Sequence, residues 1–403
     1  MPALTRVGTA FFLGKKSGGG DTTAEPGEAV FHADKTTQIA TWSVKTQYAW
    51  TVPAGVWEIS VVCIGGGGSG CPQHDGESGA GGGLAYKNNL PVTPGSNIVV
   101  YVGGGGGNLS WGSNGNHGEA SWIEVGGTTY ALAGGGRGGV HDGVDGYKDN
   151  TSYGSPGSPT DKYDGGGKGG RGAEKSGCRQ SGGGCGGYSN SPDNGNGAEG
   201  GDCGNPSYAG TNAVAGANGA GGGGQSENGS SNYFSSGGGG TGIYGRGANG
   251  AAGTGSGSFN ETQGTGKGGS EDPWTNETNG LNVPSYTNTT GLRGYSNNSS
   301  WNQFAWSNSS NEIDPSTPNG YRRNNDTQGQ GQTRPDGGFP GGGAGGGNGG
   351  SPAGYGGHGC VRIVWGYINS MKREFPNQGV NMTDKYPGLS GATINTYGRQ
   401  MMY

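Results

Sequence analysis

Glycine occupies 102 of the 403 positions of this chain, and much of it stands in runs. Such runs lie at 65–68, 103–107, 221–224, 237–240 and 341–347, the last broken only by Ala344. Glycine has no side chain to bury and loses the most backbone freedom on ordering, so an ordinary hydrophobic core cannot organise these stretches. The runs are therefore either disordered or packed backbone against backbone.

The rest of the composition helps to choose between these two states. Only 28% of the residues are hydrophobic and 13% are charged, which fits neither an average globular domain nor a highly charged disordered chain. Glycine does not recur at every third position, as residues 179–191 illustrate, so a collagen triple helix is excluded. We predict three-residue-per-turn helices of the polyproline II type, whose amides bond to neighbouring helices. A flexible glycine linker is the alternative, and the Tyr, Trp and Asn residues scattered through the same region argue against it.

Strand patterns are concentrated between residues 47 and 133. The sequence VWEISVVCI at 56–64 follows a Pro-Ala-Gly turn signal and is rich in β-branched residues. Alternation along this strand predicts one apolar face formed by Trp57, Ile59, Val61 and Cys63. Further strands are predicted at 84–90, 97–102, 120–125 and 128–133, the last two joined as a hairpin through Gly126 and Gly127.

A separate strand pattern, CVRIVW, lies far downstream at 360–365. A lone strand is not stable in water, so we expect it to complete the sheet built by residues 47–133. The predicted fold class is all-β: a β-sandwich with a large glycine-rich insertion that forms packed polyglycine II-type helices and loops. The predicted domains are an N-terminal attachment segment at 1–46, a β-sandwich at 47–140 plus 356–367, the insertion at 141–355, and a C-terminal extension at 368–403. Within the first of these, we expect the apolar residues Val30 and Phe31 to dock on a partner subunit.

Several function classes fit this sequence poorly. A formal net charge of -5 argues against nucleic acid as a partner, because binding it requires a basic patch. No apolar run approaches the ~20 residues of a membrane helix, and the amino terminus lacks the pattern of an export signal. Without such a signal we expect reduced thiols rather than a disulfide framework, for cysteines at Cys63, Cys71, Cys178, Cys185, Cys203 and Cys360.

Motifs for catalysis or metal binding are weak throughout the chain. His74, three residues after Cys71, is the nearest approach to a zinc pattern. Lys168 stands in a glycine loop with no Ser or Thr after it, which argues against a phosphate site. Solvated turn residues are the better interpretation of the carboxylates Asp161, Asp164, Glu174, Asp193 and Asp202, although two carboxylates could serve glycoside cleavage. We therefore expect no enzyme activity, no cofactor and no metal.

One region carries a positive functional signal, at residues 271–336, where Asn, Ser and Thr dominate and aromatic residues recur. Flat rings flanked by amides and hydroxyls suit sugar recognition, because a ring face stacks on the C–H surface of a sugar. Packing of these rings on the glycine layers as local core is the alternative. The candidate receptor-binding residues are Trp274, Tyr286, Tyr295, Trp301, Phe304, Trp306 and Tyr321.

Two motifs carry a resemblance to a known kind of protein. The segment YAWTVPAGVWEISVVCIGGGGSG at 48–70 resembles the opening of the glycine-rich domain of bacteriophage tail and fibre proteins. The segment PAGYGGHGCVRIVWG at 352–366, followed by REFP at 373–376, is similar to the ends of such proteins in phages of marine cyanobacteria. The chain lacks the heptads of a coiled-coil stalk, in contrast to many fibres.

The resemblance implies a virion structural protein, a tail fibre or receptor-binding adhesin that contacts the host surface and presents loops on polyglycine helix layers. Its expected partners are other virion proteins, bound through the N- and C-terminal segments, a host surface glycan or outer-membrane protein, and further copies of the chain. An architectural component, such as a capsid decoration, tail collar or fibre shaft, is the alternative. A polysaccharide depolymerase is a third, disfavoured class.

Overall fold

The computed structural model describes residues 27–33, 45–71, 77–107, 114–139, 162–172, 181–189, 213–225, 227–228, 233–234, 237–243, 245–246, 249–253, 268–270, 337–338, 340–346, 353–368, 371–376 and 399–402. Regular structure in these ranges consists of strands: β1 (Gly27–His32), β2 (Thr46–Thr51), β3 (Glu58–Ile64), β4 (Leu84–Pro91), β5 (Asn97–Val102), β6 (Ser121–Val125), β7 (Thr128–Ala133), β8 (Gly165–Gly167), β9 (Glu227–Asn228), β10 (Tyr233–Phe234), β11 (Cys360–Trp365), β12 (Tyr367–Ile368), β13 (Met371–Lys372) and β14 (Arg399–Met402).

Two larger sheets organise these strands. One has six strands in the order β14-β1-β11-β3-β4-β8, and the other has four in the order β2-β5-β6-β7. The pairs are antiparallel, except that β14 runs parallel to β1. The short pairs β9–β10 and β12–β13 stand apart from both sheets. The predicted all-β class is confirmed.

Strand β11 lies in the middle of the six-stranded sheet. Its residue Ile363 stands opposite Ala29 of β1 on one side and opposite Val61 of β3 on the other. The prediction that residues 360–365 complete the sheet is therefore confirmed. Its second neighbour, β1, comes from the segment 1–46 in which we expected Val30 and Phe31 to dock on a partner subunit. That expectation is wrong, because both side chains are fully buried within the chain's own core.

The two large sheets contribute to one shared hydrophobic core. The six-stranded sheet supplies residues such as Ile59, Val61 and Ile363, and the four-stranded sheet supplies Trp50 and Val100. Burial of each such side chain contributes roughly 2 kcal/mol, which compensates for the scarcity of apolar residues elsewhere. A β-sandwich is our interpretation of this shared core.

Trp57 does not belong to that core, although alternation along the strand placed it there. The side chain is 63% exposed, whereas Ile59, Val61 and Cys63 are buried as predicted. Strand β3 begins only at Glu58, because the preceding turn at Gly55 takes a φ of 78° and changes the direction of the chain. Period-two alternation therefore does not extend back to Trp57.

The hairpin between β6 and β7 is formed as predicted. Val125 pairs with Thr128, and the two turn residues Gly126 and Gly127 have φ values of 56° and 77°. Positive φ at both central positions is the requirement of a tight two-residue hairpin turn, which glycine meets without strain.

The opposite face of the six-stranded sheet is also covered. A second apolar cluster there joins Val62 and Val364 of the sheet to Tyr188 and Ile243 of the glycine-rich region. Within this face the guanidinium of Arg362 pairs with the carboxylate of Glu28 at 2.6 Å and donates a hydrogen bond to the carbonyl oxygen of Ile243 at 3.1 Å. Because Arg362 is 2% exposed, this contact ties the glycine-rich region to the sheet through a buried charge.

Candidate functional site: the glycine slab and its far end

Glycine-rich segments continue from the strand ends and pack side by side into a body that we call the glycine slab. The described segments of the slab are 65–71, 77–83, 103–107, 114–119, 134–139, 168–172, 181–187, 216–225, 237–242, 250–253, 337–338, 340–346 and 353–359. Backbone hydrogen bonds of 2.7–3.2 Å join these segments to one another. The backbone amides that glycine leaves uncovered are thus satisfied by other backbone.

The amides of segment 65–71 donate to three neighbouring segments in turn, so the same neighbour accepts at every third residue. The amides of Gly65, Gly68 and Cys71 donate to segment 77–83. Those of Gly66 and Ser69 donate to segment 114–119, and those of Gly67 and Gly70 donate to segment 353–359. A period of three is what the predicted three-residue-per-turn helices require, since successive amides then point to three different neighbours. The polyglycine II assignment is our interpretation of this pattern.

The carbonyl groups of the same segment accept from a different set of neighbours. Gly66 and Ser69 accept from segment 134–139, Gly67 accepts from segment 103–107, and Gly68 accepts from segment 340–346. Segment 65–71 is therefore bonded to three neighbours as a donor and to three others as an acceptor. Such a segment has no free flank, so its position within the slab is fixed from all sides.

Close approach of the segments explains why glycine is needed at these positions. A Cβ atom built on Gly66 would fall closer than 3.0 Å to the carbonyl of Gly104, and one on Gly67 would meet the carbonyl of Gly342 equally closely. These obstacles are backbone atoms held by their own hydrogen bonds, so they cannot rotate aside as a side chain could. The slab therefore depends on the absence of side chains and not only on glycine's flexibility.

The slab contains residues from before and after position 140, where we predicted the boundary between the sandwich and the insertion. Segment 77–83 lies in the part assigned to the sandwich, yet Gly81 donates to Gly170 and Gly79 accepts from Gly183. The domain limits themselves stay a prediction. Segments that we assigned to the sandwich and segments of the insertion are interleaved in one hydrogen-bonded body.

Two histidines act as hydrogen-bond acceptors in the slab. Nδ1 of the fully buried His358 accepts a hydrogen bond from the amide of Gly105 at 3.0 Å. Burial lowers the pKa of His358 to about 3, so the ring stays neutral and can accept at that nitrogen. Nδ1 of His117 accepts from the amide of Gly138 in the same way, and burial is the main cause of its lowered pKa. No pattern in the sequence indicates that these two side chains take the place of a backbone carbonyl.

The slab has one end at the sheets and one far end. Gly65 follows β3, Gly83 precedes β4, and the two are bonded to each other beside the sheet. At the other end of the same two segments, Cys71 donates to Glu77. Gly115 likewise donates to Gly139, the last described residue of its segment.

Residues on both sides of several breaks in the described chain meet at this far end. Gly354, just after residues 347–352, donates to Gly345, just before them. Residues 71 and 77 flank another break, as do residues 107 and 114. The described residues that flank these stretches, such as Gly345 and Gly354, are therefore held by the slab on the side away from the sheets.

The candidate receptor-binding residues at Trp274, Tyr286, Tyr295, Trp301, Phe304, Trp306 and Tyr321 lie outside the described residues. The chain enters that region from Ser270, whose hydroxyl donates to the carbonyl of Gly219, and leaves it at Gly337, whose amide donates to Tyr355. Both flanking residues are held by the slab. The role of the aromatic residues between them stays a prediction.

Aromatic residues that the structure does describe serve packing in several places. Tyr188 is fully buried, stacks on Phe375 at 6.4 Å and donates its hydroxyl proton to the carbonyl of Gly242. Tyr86 donates similarly to Ser189 at 2.7 Å. These tyrosines hold slab segments against the sheet, which is the role that the packing alternative assigns to aromatic residues.

Reactive and metal-binding groups are sparse in the part of the chain that the structure describes. Cys63, Cys71, Cys185 and Cys360 are buried free thiols, and burial is the first cause of the raised pKa of Cys185, about 12. No group of three or more His, Cys, Asp or Glu residues that could hold a metal ion occurs among the described residues. A search of the same residues finds no helix long and apolar enough to cross a membrane.

A family model for a glycine-rich domain matches residues 42–270. The chain belongs to this glycine-rich domain family. The family region covers β2 to β10 and the slab segments between them, and it ends before β11, which stands in the middle of the six-stranded sheet. No individual curated protein matches the chain.

Replacement of Gly67 by Ala tests the steric requirement in the slab. Because the new methyl group would meet the Gly342 backbone, we expect Gly67→Ala to lower the free energy of unfolding by about 3 kcal/mol or more. The matched control is Gly95→Ala, where φ is +80° but no atom lies within 4 Å, so only about 1 kcal/mol of backbone strain is expected. Urea denaturation of both variants measures the difference, and equal losses would contradict direct backbone packing.

Because His358 is buried and neutral, we expect acid to lower the stability of the folded protein. The folded state holds its pKa at about 3, below the ordinary 6.5, so the unfolded state binds the proton first as pH falls. This contribution to stability is complete above pH 6.5 and is lost progressively between pH 6.5 and 3, by about 1.4 kcal/mol per pH unit.

The matched variant is His358→Gln, which keeps an acceptor but cannot titrate. We expect its unfolding free energy to fall less steeply than that of the wild type between pH 6.5 and 4.5, measured by denaturation at each pH. Carboxylates and His117 titrate in both proteins, so the difference in slope isolates His358. Identical slopes would contradict the prediction.

Proposed function

We propose that this chain is a non-enzymatic structural protein of a bacteriophage virion, acting as a tail fibre or receptor-binding adhesin that contacts the host cell surface. The observation that carries the proposal is the far end of the slab. There the hydrogen-bonded segments hold the flanking residues of several connecting stretches in fixed positions. A rigid base that presents exchangeable stretches of chain is suited to recognition, because variation there leaves the scaffold unchanged.

The sequence motifs that bracket the chain support the same proposal. The segments at 48–70 and 352–366 resemble phage tail and fibre proteins. Both contribute to one structure, since β3 and β11 are paired and the glycine segments that adjoin them are bonded through Gly67 and Gly357. The resembling parts thus form the base from which the rest of the slab extends.

The proposed host contact lies in the region 271–336, with its aromatic and amide-rich sequence. Its ligand would be a host surface glycan or an outer-membrane protein. The N- and C-terminal segments would join the chain to other virion proteins, and a homo-oligomer is proposed, with the protein assembled into virions in the host cytoplasm. A nucleic-acid partner and membrane insertion are not part of the proposal, given the net charge of -5.

An architectural role is the second candidate, and one observation favours it. The buried tyrosines Tyr86 and Tyr188 use their rings and hydroxyls for internal packing. An architectural role would give the other aromatic residues of the chain the same packing function. In that case the slab would itself be the functional part, as a stiff spacer or a decoration.

Binding of the purified chain to host cells and their isolated surface polymers tests the proposal. We expect the double variant Trp301→Ala and Trp306→Ala to lose at least tenfold in affinity, because stacked rings supply much of such a contact. Circular dichroism and the melting temperature serve as the control for folding. Unchanged binding would remove these residues from the contact, and a wild-type chain that does not bind host material would favour the architectural role.

A further inference from the structure

A groove lies at the end of the six-stranded sheet that is farthest from the slab. Strand β3 enters the slab after Ile64 and β11 leaves it at Cys360, so the opposite ends of these strands, at Glu58 and Trp365, mark the far side of the sheet. The groove has a volume of about 250 Å³. It is lined by residues 55–60, residues 364–367, Lys372 and Arg373.

Two exposed aromatic side chains distinguish this groove. Trp57 is 63% exposed and Tyr367 is 51% exposed, and both line the groove. Large exposed rings are uncommon on a soluble protein, and they are informative when they flank a cavity. The chain has few large apolar residues for its core, so their placement on the surface suggests a ligand.

Backbone contacts on both sides fix the positions from which these rings project. The carbonyl of Trp57 accepts from the amide of Val92 at 2.9 Å, and the amide of Val56 donates to Pro53. On the other side, Tyr367 pairs with Lys372 in the short hairpin β12–β13. A backbone that is already ordered reduces the loss of conformational entropy on binding.

The polar groups of the groove complement the rings. The ammonium of Lys372 forms an ion pair with the carboxylate of Glu58, and both groups are part-exposed at the edge of the groove. Arg373 is held by the carbonyl of Gly27 and by Glu28. A carboxylate accepts hydrogen bonds from hydroxyl groups and an ammonium donates to them, so the pair can bind a molecule rich in hydroxyl groups.

We propose that this groove binds one saccharide unit, with its apolar ring face on Trp57 or Tyr367 and its hydroxyl groups on Glu58 and Lys372. The volume is below the roughly 300–1,000 Å³ of drug-sized pockets, which suits a single sugar ring better than a folded partner. The site is distinct from region 271–336 in sequence. It adds a second, separately testable carbohydrate contact to the proposed function and does not depend on it.

Ligand-observed NMR of the full chain tests the site with glucose, galactose, mannose, N-acetylglucosamine and the disaccharides of each as probes. We expect saturable binding of at least one of them. Trp57→Ala and Tyr367→Ala should each weaken it about fivefold to tenfold, and Lys372→Met should weaken it as well. Trp122→Ala is the matched control, because its ring stacks on Tyr101 on the four-stranded sheet, outside the groove, and should leave binding unchanged.

Three results would overturn the proposal. The first is the absence of saturable binding by every probe, and the second is binding that survives both aromatic variants. The third is loss of incorporation into virions on Trp57→Ala without any saccharide signal, which would assign the groove to a protein contact. Both aromatic side chains are exposed, so the variants should fold, and the melting temperature checks this. Host binding through region 271–336 is measured separately and is unaffected by any of these outcomes.

Discussion

The backbone hydrogen bond between neighbouring glycine segments is the interaction on which the rest of this structure depends. Each such bond contributes only about 1 kcal/mol net, but such bonds join every described segment of the slab to its neighbours. Little side-chain area is available to replace them, since a methyl group at Gly66 or Gly67 already meets backbone. The absence of side chains therefore has two effects. It lets neighbouring segments approach closely, and it leaves their backbone amides open to hydrogen-bond to one another.

The strand pairing in the sheets sets which glycine segments of the slab lie side by side. Segments 65–71 and 77–83 continue directly from β3 and into β4, whose antiparallel pairing sets which glycines face each other. Arg362 adds a buried contact between the sheet, Glu28 and the carbonyl of Ile243. A slab fixed at its base can hold its far end steady, and this connects the fold to the proposed display of variable stretches.

The sequence predicted those parts that local chemistry determines. Strands at 97–102 and 128–133 have the predicted bounds, because β-branched residues and glycine turns act over short distances. Strand β8 consists of three glycines and carries no pattern to detect. The neighbours of each glycine segment, the burial of Val30 and the acceptor role of His358 depend on contacts distant in sequence. Trp57 and its groove were missed because alternation was extended one residue too far, and the aromatic candidates at 271–336 lie outside the described residues.

Amide hydrogen exchange across residues 65–71 tests the central claim most directly. Each amide of this segment donates to one of three neighbours, so the account predicts slow exchange at every position, comparable with that of β3. Protection at alternate positions only would indicate the edge of an ordinary sheet. Exchange at the rate of a denatured peptide would mean that no slab forms, and either result would contradict the account.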